Sequence, residues 1–309
     1  MAEIVISEFM EQAAVDELAA GFDVLYDPTL FEREDELCAA LAPARALIVR
    51  NRTEVRGAVL AAGARLEAVG RLGVGLDNID VEACAARGIA VLPATGANDV
   101  SVAEYVLATT MILLRSAYLS SALMLQGDWP RERLIGHEIA GKQLGLVGFG
   151  SIARVVAAKA RALDMVVSAY DPYVRKGEPS WLGVRYCASL EQLLAPADVV
   201  SVHVPLLPAT RGMIDAEALA AMKRGALLIN AARGGIVSEM ALVEALRAGH
   251  LGGAALDVFE EEPLTAEGAQ RFAGVPNLIL TPHIAGRTAE CDVRVSAVVA
   301  ARVREALAG

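Results

Sequence analysis

Two series of short apolar segments, each alternating with helical patterns, constrain the fold of this 309-residue chain more than any other feature. The first series runs from Ile4 to about Pro93 and contains IVI, FDVLY, ALIV, LEAVGRL and IAVLP. The second begins at Gly141 with six candidate strands, LGLVGFG, MVVSAYD, DVVSVHV, ALLINAA, GGAALDVF and LILTP. Strands that alternate with helices are typical of parallel sheets covered by helices on both faces. The sequence therefore predicts an α/β protein with two doubly wound sheets.

A glycine-rich turn joins the first strand of the second series to the following helix. The hexapeptide 148–153, GFGSIA, reads G-x-G-x-x-A, directly after LGLV and directly before a helical pattern. Gly148 would allow a tight turn, Gly150 would let backbone N–H groups approach a pyrophosphate, and Ala153 would let the helix pack on the strand. In this context the motif predicts a dinucleotide site.

An aspartate ends the next strand, where such sites bind the adenosine ribose. Asp171 lies 21 residues beyond Gly150, at the end of VVSAYD. Its carboxylate can accept hydrogen bonds from ribose hydroxyls and would repel a 2′-phosphate, so NAD is favoured over NADP. Arg175 is the one nearby feature that would favour NADP. The alternative is a generic glycine turn with an aspartate that merely terminates a strand.

Composition excludes several classes of partner. The net charge of −10 opposes nucleic acid or an anionic membrane as the main partner, because both attract clustered Lys and Arg. The most apolar stretch, Val100 to Leu114, contains Glu104 and is too short to span a bilayer. The N-terminus resembles a first strand and not a secretion signal, and the four cysteines have no disulfide or metal-site spacing. We therefore expect a cytoplasmic protein with a small-molecule partner and no metal.

Six motifs occur in order along nearly the whole chain: VGRLGVGLDNID, GKQLGLVGFGSIA, DVVSVHVPLLPATRGMID, ALLINAARGGIV, ALDVFEEEP and TPHIAG. Together they resemble the D-isomer-specific 2-hydroxyacid dehydrogenases, among them the phosphoglycerate dehydrogenases in a short form without a regulatory domain. The resemblance implies an NAD-binding Rossmann domain over residues 99–286. This domain would be inserted into a flavodoxin-like, substrate-binding domain formed by residues 1–98 and 287–309.

By this resemblance, three side chains are expected to perform the chemistry. His283 in TPHIAG matches the acid/base, since a base that titrates near neutrality must take the hydroxyl proton when a hydride leaves C2. Glu262 in FEEEP matches the carboxylate that orients this imidazole and favours the imidazolium, although Glu260 and Glu261 adjoin it in the sequence. Arg233 in NAARGG matches the arginine that binds the substrate carboxylate and polarises its carbonyl.

The resemblance also implies contacts to the cofactor and to the substrate carboxylate. The backbone of Gly73, Val74 and Gly75 matches the loop that holds the carboxylate, and Asp257 matches an aspartate near the nicotinamide carboxamide. His203 ends a strand and is expected to line the cofactor site. The expected cofactor contacts are Gly148, Gly150, Ser151, Ile152, Asp171, His203, Pro205, Thr210, Ala231, Arg233, Asp257 and His283.

Two arginines at the end of a strand bear on substrate choice. Arg50 and Arg52 in LIVRNRTEV would point the same way if the strand continued through them. They predict a second anionic group on the substrate, although a solvated strand end is the alternative. Arg287 follows PHIAG where the phosphoglycerate enzymes carry a small polar residue, so a 3-sulfolactate type of substrate competes with 3-phosphoglycerate.

Three further expectations concern assembly and alternative functions. A long helical segment is expected from Val100 to Leu125, and its part from Val100 to Leu114 is apolar almost all round, which suggests burial against a second subunit and hence a homodimer. An NADP-linked glyoxylate or hydroxypyruvate reductase is opposed by Asp171. A non-enzymatic, NAD-sensing corepressor on the same scaffold is opposed by the complete set of Arg233, Glu262 and His283.

Overall fold

The computed structural model describes residues 2–308 and divides the chain into two compact units. The first unit comprises Met1–Asn98 together with Arg287–Gly309, and the second comprises Asp99–Gly286. Both units are parallel sheets with flanking helices, so the predicted fold class is confirmed. Within residues 2–308, no helix combines the length and apolar character needed to cross a membrane.

The first unit contains five parallel strands in the order β2-β1-β3-β4-β5, an order typical of flavodoxin-like sheets. The strands are β1 (Ile4–Ile6), β2 (Val24–Tyr26), β3 (Ala46–Val49), β4 (Ala68–Arg71) and β5 (Ala90–Pro93). The helices between them are α1 (Gln12–Ala19), α2 (Glu34–Leu41), α3 (Gly57–Ala62) and α4 (Val81–Ala86), with a 3-10 turn at Leu30–Glu32.

The C-terminal helix of the chain, Ala289–Ala308, packs on this five-stranded sheet. Gly70 in β4 makes the close approach of the helix feasible, because a Cβ atom at this position would lie 2.7 Å from Val299 Cγ1 and 2.9 Å from Val303 Cγ2. The fully buried Ile4, Ile6 and Ile48 lie in the same apolar cluster.

The second unit contains seven parallel strands in the order β12-β11-β10-β9-β6-β7-β8. Its strands are β6 (Gln143–Val147), β7 (Val166–Tyr170), β8 (Arg185–Tyr186), β9 (Val199–Val202), β10 (Leu227–Asn230), β11 (Gly253–Leu256) and β12 (Leu278–Leu280). Its helices are α5 (Asp99–Arg115), α6 (Ser121–Leu125), α7 (Ser151–Ala162), α8 (Leu190–Leu194), α9 (Ala216–Ala221), α10 (Glu239–Arg247) and α11 (Ala266–Ala269). Ala289–Ala308 is α12. From β8 to β11, the strand order is that of a Rossmann sheet.

Two details of the second unit differ from the prediction. The sheet has a seventh strand, β8, because two residues at its edge suffice to pair with β7 and leave no periodic pattern in the sequence. The helix expected over Val100–Leu125 ends at Arg115, and Ser116 adopts a left-handed φ of 53°. A Cβ atom on Gly136 would lie 2.4 Å from the Arg115 carbonyl oxygen, so the returning chain occupies the space beyond the helix end.

Candidate active site

The glycine-rich turn between β6 and α7 has the geometry of a phosphate-binding turn. Gly148 has a φ of 92°, and a Cβ atom there would lie 3.0 Å from the His203 carbonyl carbon. Gly150 precedes the first residue of α7, and a Cβ atom built on it meets nothing within 4 Å. Ala153, in the first turn of α7, is completely buried. The space beside Gly150 at the start of α7 is therefore open, as the approach of a pyrophosphate to a helix N-terminus requires.

Asp171 follows β7 and is connected to the glycine turn. One carboxylate oxygen accepts a hydrogen bond from the Phe149 amide at 2.8 Å, and the other accepts one from the Tyr173 amide at 2.8 Å. Each oxygen retains a second lone pair that a ribose hydroxyl can use. The side chain of Arg175 is exposed on the loop beyond. The glycine turn is expected to bind the pyrophosphate, and Asp171 is expected to bind the adenosine ribose. A hydrogen bond connects these two parts of the site.

Other residues expected to contact the cofactor lie in loops after the parallel strands. His203 follows β9 and shares a 2.9 Å hydrogen bond with Ser201, and burial lowers its pKa to about 4. Its ring is therefore neutral at physiological pH. Thr210 holds the next loop by donating to the Pro205 carbonyl at 2.6 Å and accepting from the Leu207 amide at 2.8 Å. Ser151 and Ile152 occupy the first turn of α7, and Ala231 follows β10.

Arg233 lies in a loop that is pressed against the backbone after β11. A Cβ atom on the neighbouring Gly234 would lie 1.6 Å from the Phe259 carbonyl oxygen, so only glycine permits this contact. Asn230 stabilises the loop by donating to the Arg233 carbonyl at 3.0 Å and accepting from the Ala232 amide at 3.1 Å. The positive charge of the Arg233 guanidinium helps to lower the pKa of the Glu262 carboxyl.

His283 and Glu262 form a hydrogen-bonded pair, with 2.7 Å between His283 Nδ1 and Glu262 Oε2. The other Glu262 oxygen accepts from the Phe259 amide at 3.0 Å. His283 has a left-handed φ of 55°, and its amide donates to the Asp257 carbonyl at 2.8 Å. The histidine side chain is 45% exposed, so the imidazole is not sealed off by its own unit. The arrangement can accept and return one proton.

The neighbouring glutamates have different surroundings. Glu260 accepts from the Glu239 amide at 3.1 Å, and its own amide donates to the Glu239 carboxylate at 2.6 Å. Arg271 donates to that same carboxylate at 2.8 Å. Glu261 is exposed. Glu262 is thus the member of the three that contacts His283.

The Glu262 carboxylate is stabilised in its charged form. Desolvation alone would raise the pKa of Glu262, but the hydrogen bonds from His283 and Phe259 and the charges of His283 and Arg233 lower it below the ordinary value of 4.5. The carboxylate therefore stays ionised at neutral pH beside the imidazole.

Asp257 anchors the loop that carries His283, a connection that the motifs did not indicate. Its carboxylate accepts from the Thr281 hydroxyl at 2.6 Å, from the Ile284 amide at 2.9 Å and from the Ala285 amide at 2.8 Å. The residue is 1% exposed. These contacts are structural, so a contact between Asp257 and nicotinamide stays a proposal.

A tyrosine on α5 extends this anchor. The Tyr105 hydroxyl lies 2.7 Å from Thr281 Oγ1, and burial raises the pKa of Tyr105 to about 12. Because Thr281 donates its hydroxyl proton to Asp257, Tyr105 must donate to Thr281. The order Tyr105, Thr281, Asp257 links α5 to the His283 loop, and no motif identified it.

In the first unit, an arginine organises the loop expected to hold the substrate carboxylate. Arg71 donates to the Leu72 carbonyl at 2.7 Å and to the Gly75 carbonyl at 2.8 Å. A Cβ atom on Gly73 would lie 2.1 Å from the Arg71 guanidinium. The Gly73 amide donates to the Arg71 carbonyl at 2.8 Å, so the amides of Val74 and Gly75 are the better candidates for a ligand.

Arg50 and Arg52 lie in a turn beyond β3, so the side-chain alternation expected of a strand does not apply to them. Arg50 forms an ion pair with Asp292 of α12 and lies above the Phe9 ring. Arg52 instead lies 4.1 Å from the centre of the Phe31 ring. The structure therefore directs the two guanidinium groups to different neighbours.

The backbone of this turn is held by one buried carboxylate that no sequence pattern singled out. Glu8, which is 3% exposed, accepts hydrogen bonds from the amides of residues 50, 51, 52 and 53 at 2.8 to 3.2 Å. Asn78 adds a 2.7 Å hydrogen bond to the Thr53 carbonyl. The turn is thus fixed independently of the side chains that it presents.

A Rossmann sheet with this glycine turn, together with a histidine–carboxylate pair influenced by an arginine, defines an oxidoreductase that uses a dinucleotide. Residues 107–285 match the family model described as the NAD binding domain of D-isomer specific 2-hydroxyacid dehydrogenases. The chain belongs to this family and is an NAD-dependent enzyme. Within residues 2–308, no three His, Cys, Asp or Glu side chains gather as a metal site would require.

Relatives with assigned names support the same conclusion. The chain is 55% identical over 307 residues to the (S)-sulfolactate dehydrogenase of Chromohalobacter salexigens, covering 99% of each chain. It is 45% identical over 275 residues to the D-3-phosphoglycerate dehydrogenase of Mycobacterium tuberculosis, covering 89% of this chain and 51% of that one. It thus spans about half the length of that relative. The solved structure of a Thermus thermophilus protein has a TM-score of 0.89 at 35% identity, covering 99% of this chain and 97% of that one.

These findings confirm the family resemblance, the fold class, the dehydrogenase activity and NAD as cofactor. They also remove the non-enzymatic corepressor from consideration. The roles of individual residues, the roles of the two units, the dimer and the location in the cell stay predictions.

The lowered pKa of Glu262 makes its contribution to stability depend on pH. The pKa of Glu262 is lower in the folded protein than in the unfolded chain. Such a carboxyl stabilises the fold at any pH above its unfolded-state pKa, and this contribution is lost as the pH falls through the folded-state pKa. We expect Glu262→Gln to destabilise the protein near pH 7, and the difference from wild type to shrink below the ordinary value of 4.5. Urea unfolding of both proteins at a series of pH values measures this difference in the free energy of unfolding. A difference that stays constant with pH would contradict the assignment.

Proposed function

We propose that the enzyme transfers a hydride between NAD and C2 of a three-carbon 2-hydroxy or 2-keto acid that carries a second anionic group. The 2.7 Å hydrogen bond between His283 and Glu262 carries the assignment of the reacting groups. The relative named (S)-sulfolactate dehydrogenase, which matches over 99% of this chain, supports a 3-sulfolactate type of substrate. The phosphoglycerate dehydrogenases make 3-phosphoglycerate the competing type.

His283 is the proposed acid/base of this reaction. NAD, when bound, supplies the hydride acceptor, and the nearby side chains manage the proton and the charge. During oxidation, neutral His283 takes the C2 hydroxyl proton at Nε2, and the resulting imidazolium is stabilised by the Glu262 carboxylate at Nδ1. During reduction, the imidazolium returns that proton to the carbonyl oxygen.

Arg233 and the first unit are proposed to bind the substrate. Arg233 can hold the substrate carboxylate and the C2 oxygen with its planar donors, which stabilises negative charge that develops on that oxygen. The backbone of Gly73, Val74 and Gly75 would hold the carboxylate. Arg50 and Arg52 would contact the second anionic group. The first unit would then bind substrate, and the second would bind NAD.

We also propose a homodimer, for a reason other than the one the sequence suggested. Helix α5 is apolar largely because its own unit buries it, including Val102, Val106 and Leu113. Exposed apolar side chains instead follow the helix, at Tyr118, Met124, Leu125, Trp129 and Ile135. Large exposed apolar side chains concentrated in one segment are typical of an interface. Sedimentation velocity that shows only monomer would contradict the dimer.

A cytoplasmic location, which cell fractionation would test, fits four cysteines that are all free thiols.

A panel of 2-keto acids tests the proposed function directly. We expect 3-sulfopyruvate or 3-phosphohydroxypyruvate to be reduced with NADH at a kcat/KM at least about tenfold above that for pyruvate, because charge-assisted hydrogen bonds strengthen binding. NADPH should be poorer by about 100-fold, because the Asp171 carboxylate repels a 2′-phosphate. Absorbance at 340 nm measures both ratios. Equal turnover of all the acids would refute the second anionic group, and equal use of NADPH would refute the role of Asp171.

A further inference from the structure

We propose that Arg50 and Arg287, which share the carboxylate of Asp292, form a subsite for a singly charged sulfonate and select it over a phosphate. The inference rests on the proposed function and specifies its substrate. It adds Arg287 and Asp292 to the residues that recognise the acid. From the sequence, only Arg50 and Arg52 were expected to contact the second anionic group, and Arg287 was only a departure from the phosphoglycerate pattern.

The geometry of the three side chains joins distant parts of the first unit. Arg50, after β3, pairs with Asp292 Oδ1 in the first turns of α12. Arg287, just before α12, lies 3.5 Å from the other oxygen, Oδ2. The side chains of Arg50 and Asp292 are 12% and 15% exposed, whereas that of Arg287 is 54% exposed. The cluster therefore has a buried, fixed pair and one accessible guanidinium.

The cluster is held from several sides. The Glu8 carboxylate fixes the Arg50 amide at 2.8 Å, and the Phe9 ring lies beneath the guanidinium of Arg50. Asp292 is carried by a helix of 20 residues whose apolar face packs on the sheet. A positively charged site whose members are already in position loses little entropy when an anion binds.

Charge decides which anion fits best. The two guanidinium groups and one carboxylate of the cluster leave a single positive charge, whereas the Glu8 carboxylate accepts hydrogen bonds from the backbone amides of the turn. A sulfonate carries one negative charge at any physiological pH, whereas a phosphate monoester carries about 1.5 to 2. The extra charge of a phosphate would be repelled by Asp292 at short range. Arg52 does not add a further net positive charge, since the Glu32 carboxylate lies 4.0 Å from its guanidinium.

The sequence position of Arg287 agrees with this role. Arg287 follows His283 by four residues, so the segment that carries the proposed acid/base continues directly into the proposed sulfonate subsite. A three-carbon acid has its reacting C2 next to the C3 atom that bears the sulfonate.

The test compares Arg287→Met and Asp292→Asn with wild type in reduction of 3-sulfopyruvate, 3-phosphohydroxypyruvate and pyruvate by NADH. Arg287→Met should lower kcat/KM for 3-sulfopyruvate about 10- to 100-fold and change that for pyruvate little, because one charged hydrogen-bond donor is lost. Asp292→Asn should shift the preference towards the phosphate substrate by about tenfold, because a repelling charge is gone. Arg304→Met is the matched control, since Arg304 is on α12 but pairs with Glu17.

Equilibrium binding separates this inference from the proposed function. Calorimetric titration of 3-sulfolactate into the NADH-saturated enzyme, which cannot oxidise it, should show weaker binding to Arg287→Met and unchanged binding to Arg304→Met. If wild type reduces none of the three acids, the proposed function fails, and the titration alone decides the subsite. Equal losses for all three acids, a wild-type preference for the phosphate substrate, or unchanged sulfolactate binding to Arg287→Met would each overturn the inference.

Discussion

Replacement of His283 by alanine is expected to lower kcat by about 10²- to 10⁴-fold, the usual contribution of a positioned acid/base. The affinity for NADH should stay close to that of wild type, because the glycine turn and Asp171 lie on other loops of the sheet. Steady-state rates with the best 2-keto acid, together with fluorescence titration of NADH, measure both effects.

A second histidine provides the control for this experiment. His250 lies at the opposite end of the sheet, where its ring contacts the Leu219 carbonyl at 3.1 Å. His250→Gln should therefore keep wild-type kcat. If His283→Ala retains more than about a tenth of the wild-type kcat, a role as acid/base is excluded.

Replacement of Arg233 by lysine is expected to lower kcat/KM by about 10²- to 10³-fold, although the charge is kept. Lysine presents a compact ammonium group, whereas arginine presents a planar fork that can hold a carboxylate and a carbonyl oxygen together. The charge that helps to lower the pKa of Glu262 would remain, so the stability of the Glu262–His283 pair should change little. Steady-state kinetics in both reaction directions test the loss of kcat/KM. The melting temperature tests whether stability is unchanged.

The matched substitution for Arg233 is Arg224→Lys. Arg224 is exposed at the opposite end of β10, so this variant should behave as wild type. A loss of kcat/KM below about threefold in Arg233→Lys would mean that only the charge matters and that the proposed bidentate grip is wrong.

The sequence was sufficient for the features that depend on local pattern. Parallel strands, the Gly148–Ala153 turn and the family motifs each occupy a continuous stretch, and the comparisons confirm the fold, the family and NAD. It was insufficient where distant segments meet. Whether a side chain after β3 points into solvent or towards α12 depends on where β3 ends, and the strand stops at Val49.

The same limit explains the residues that were missed. Tyr105 and Thr281 are 176 positions apart, and neither belongs to a pattern that would pair them. Glu8 follows the first strand as an ordinary acidic residue, yet its burial and its four amide contacts become evident only when β1 and β3 lie side by side. Contacts of this kind need the tertiary fold.

The way in which Glu8 holds the amides of residues 50–53 also suggests how new specificities could arise on this scaffold. Because the peptide backbone there is fixed from beneath, the exposed side chain at position 52 can be exchanged without reshaping the loop, whereas Arg50 is tied to Asp292. Libraries randomised at position 52 should therefore yield mostly folded enzymes. The family's range of acids would then be accessible through few substitutions.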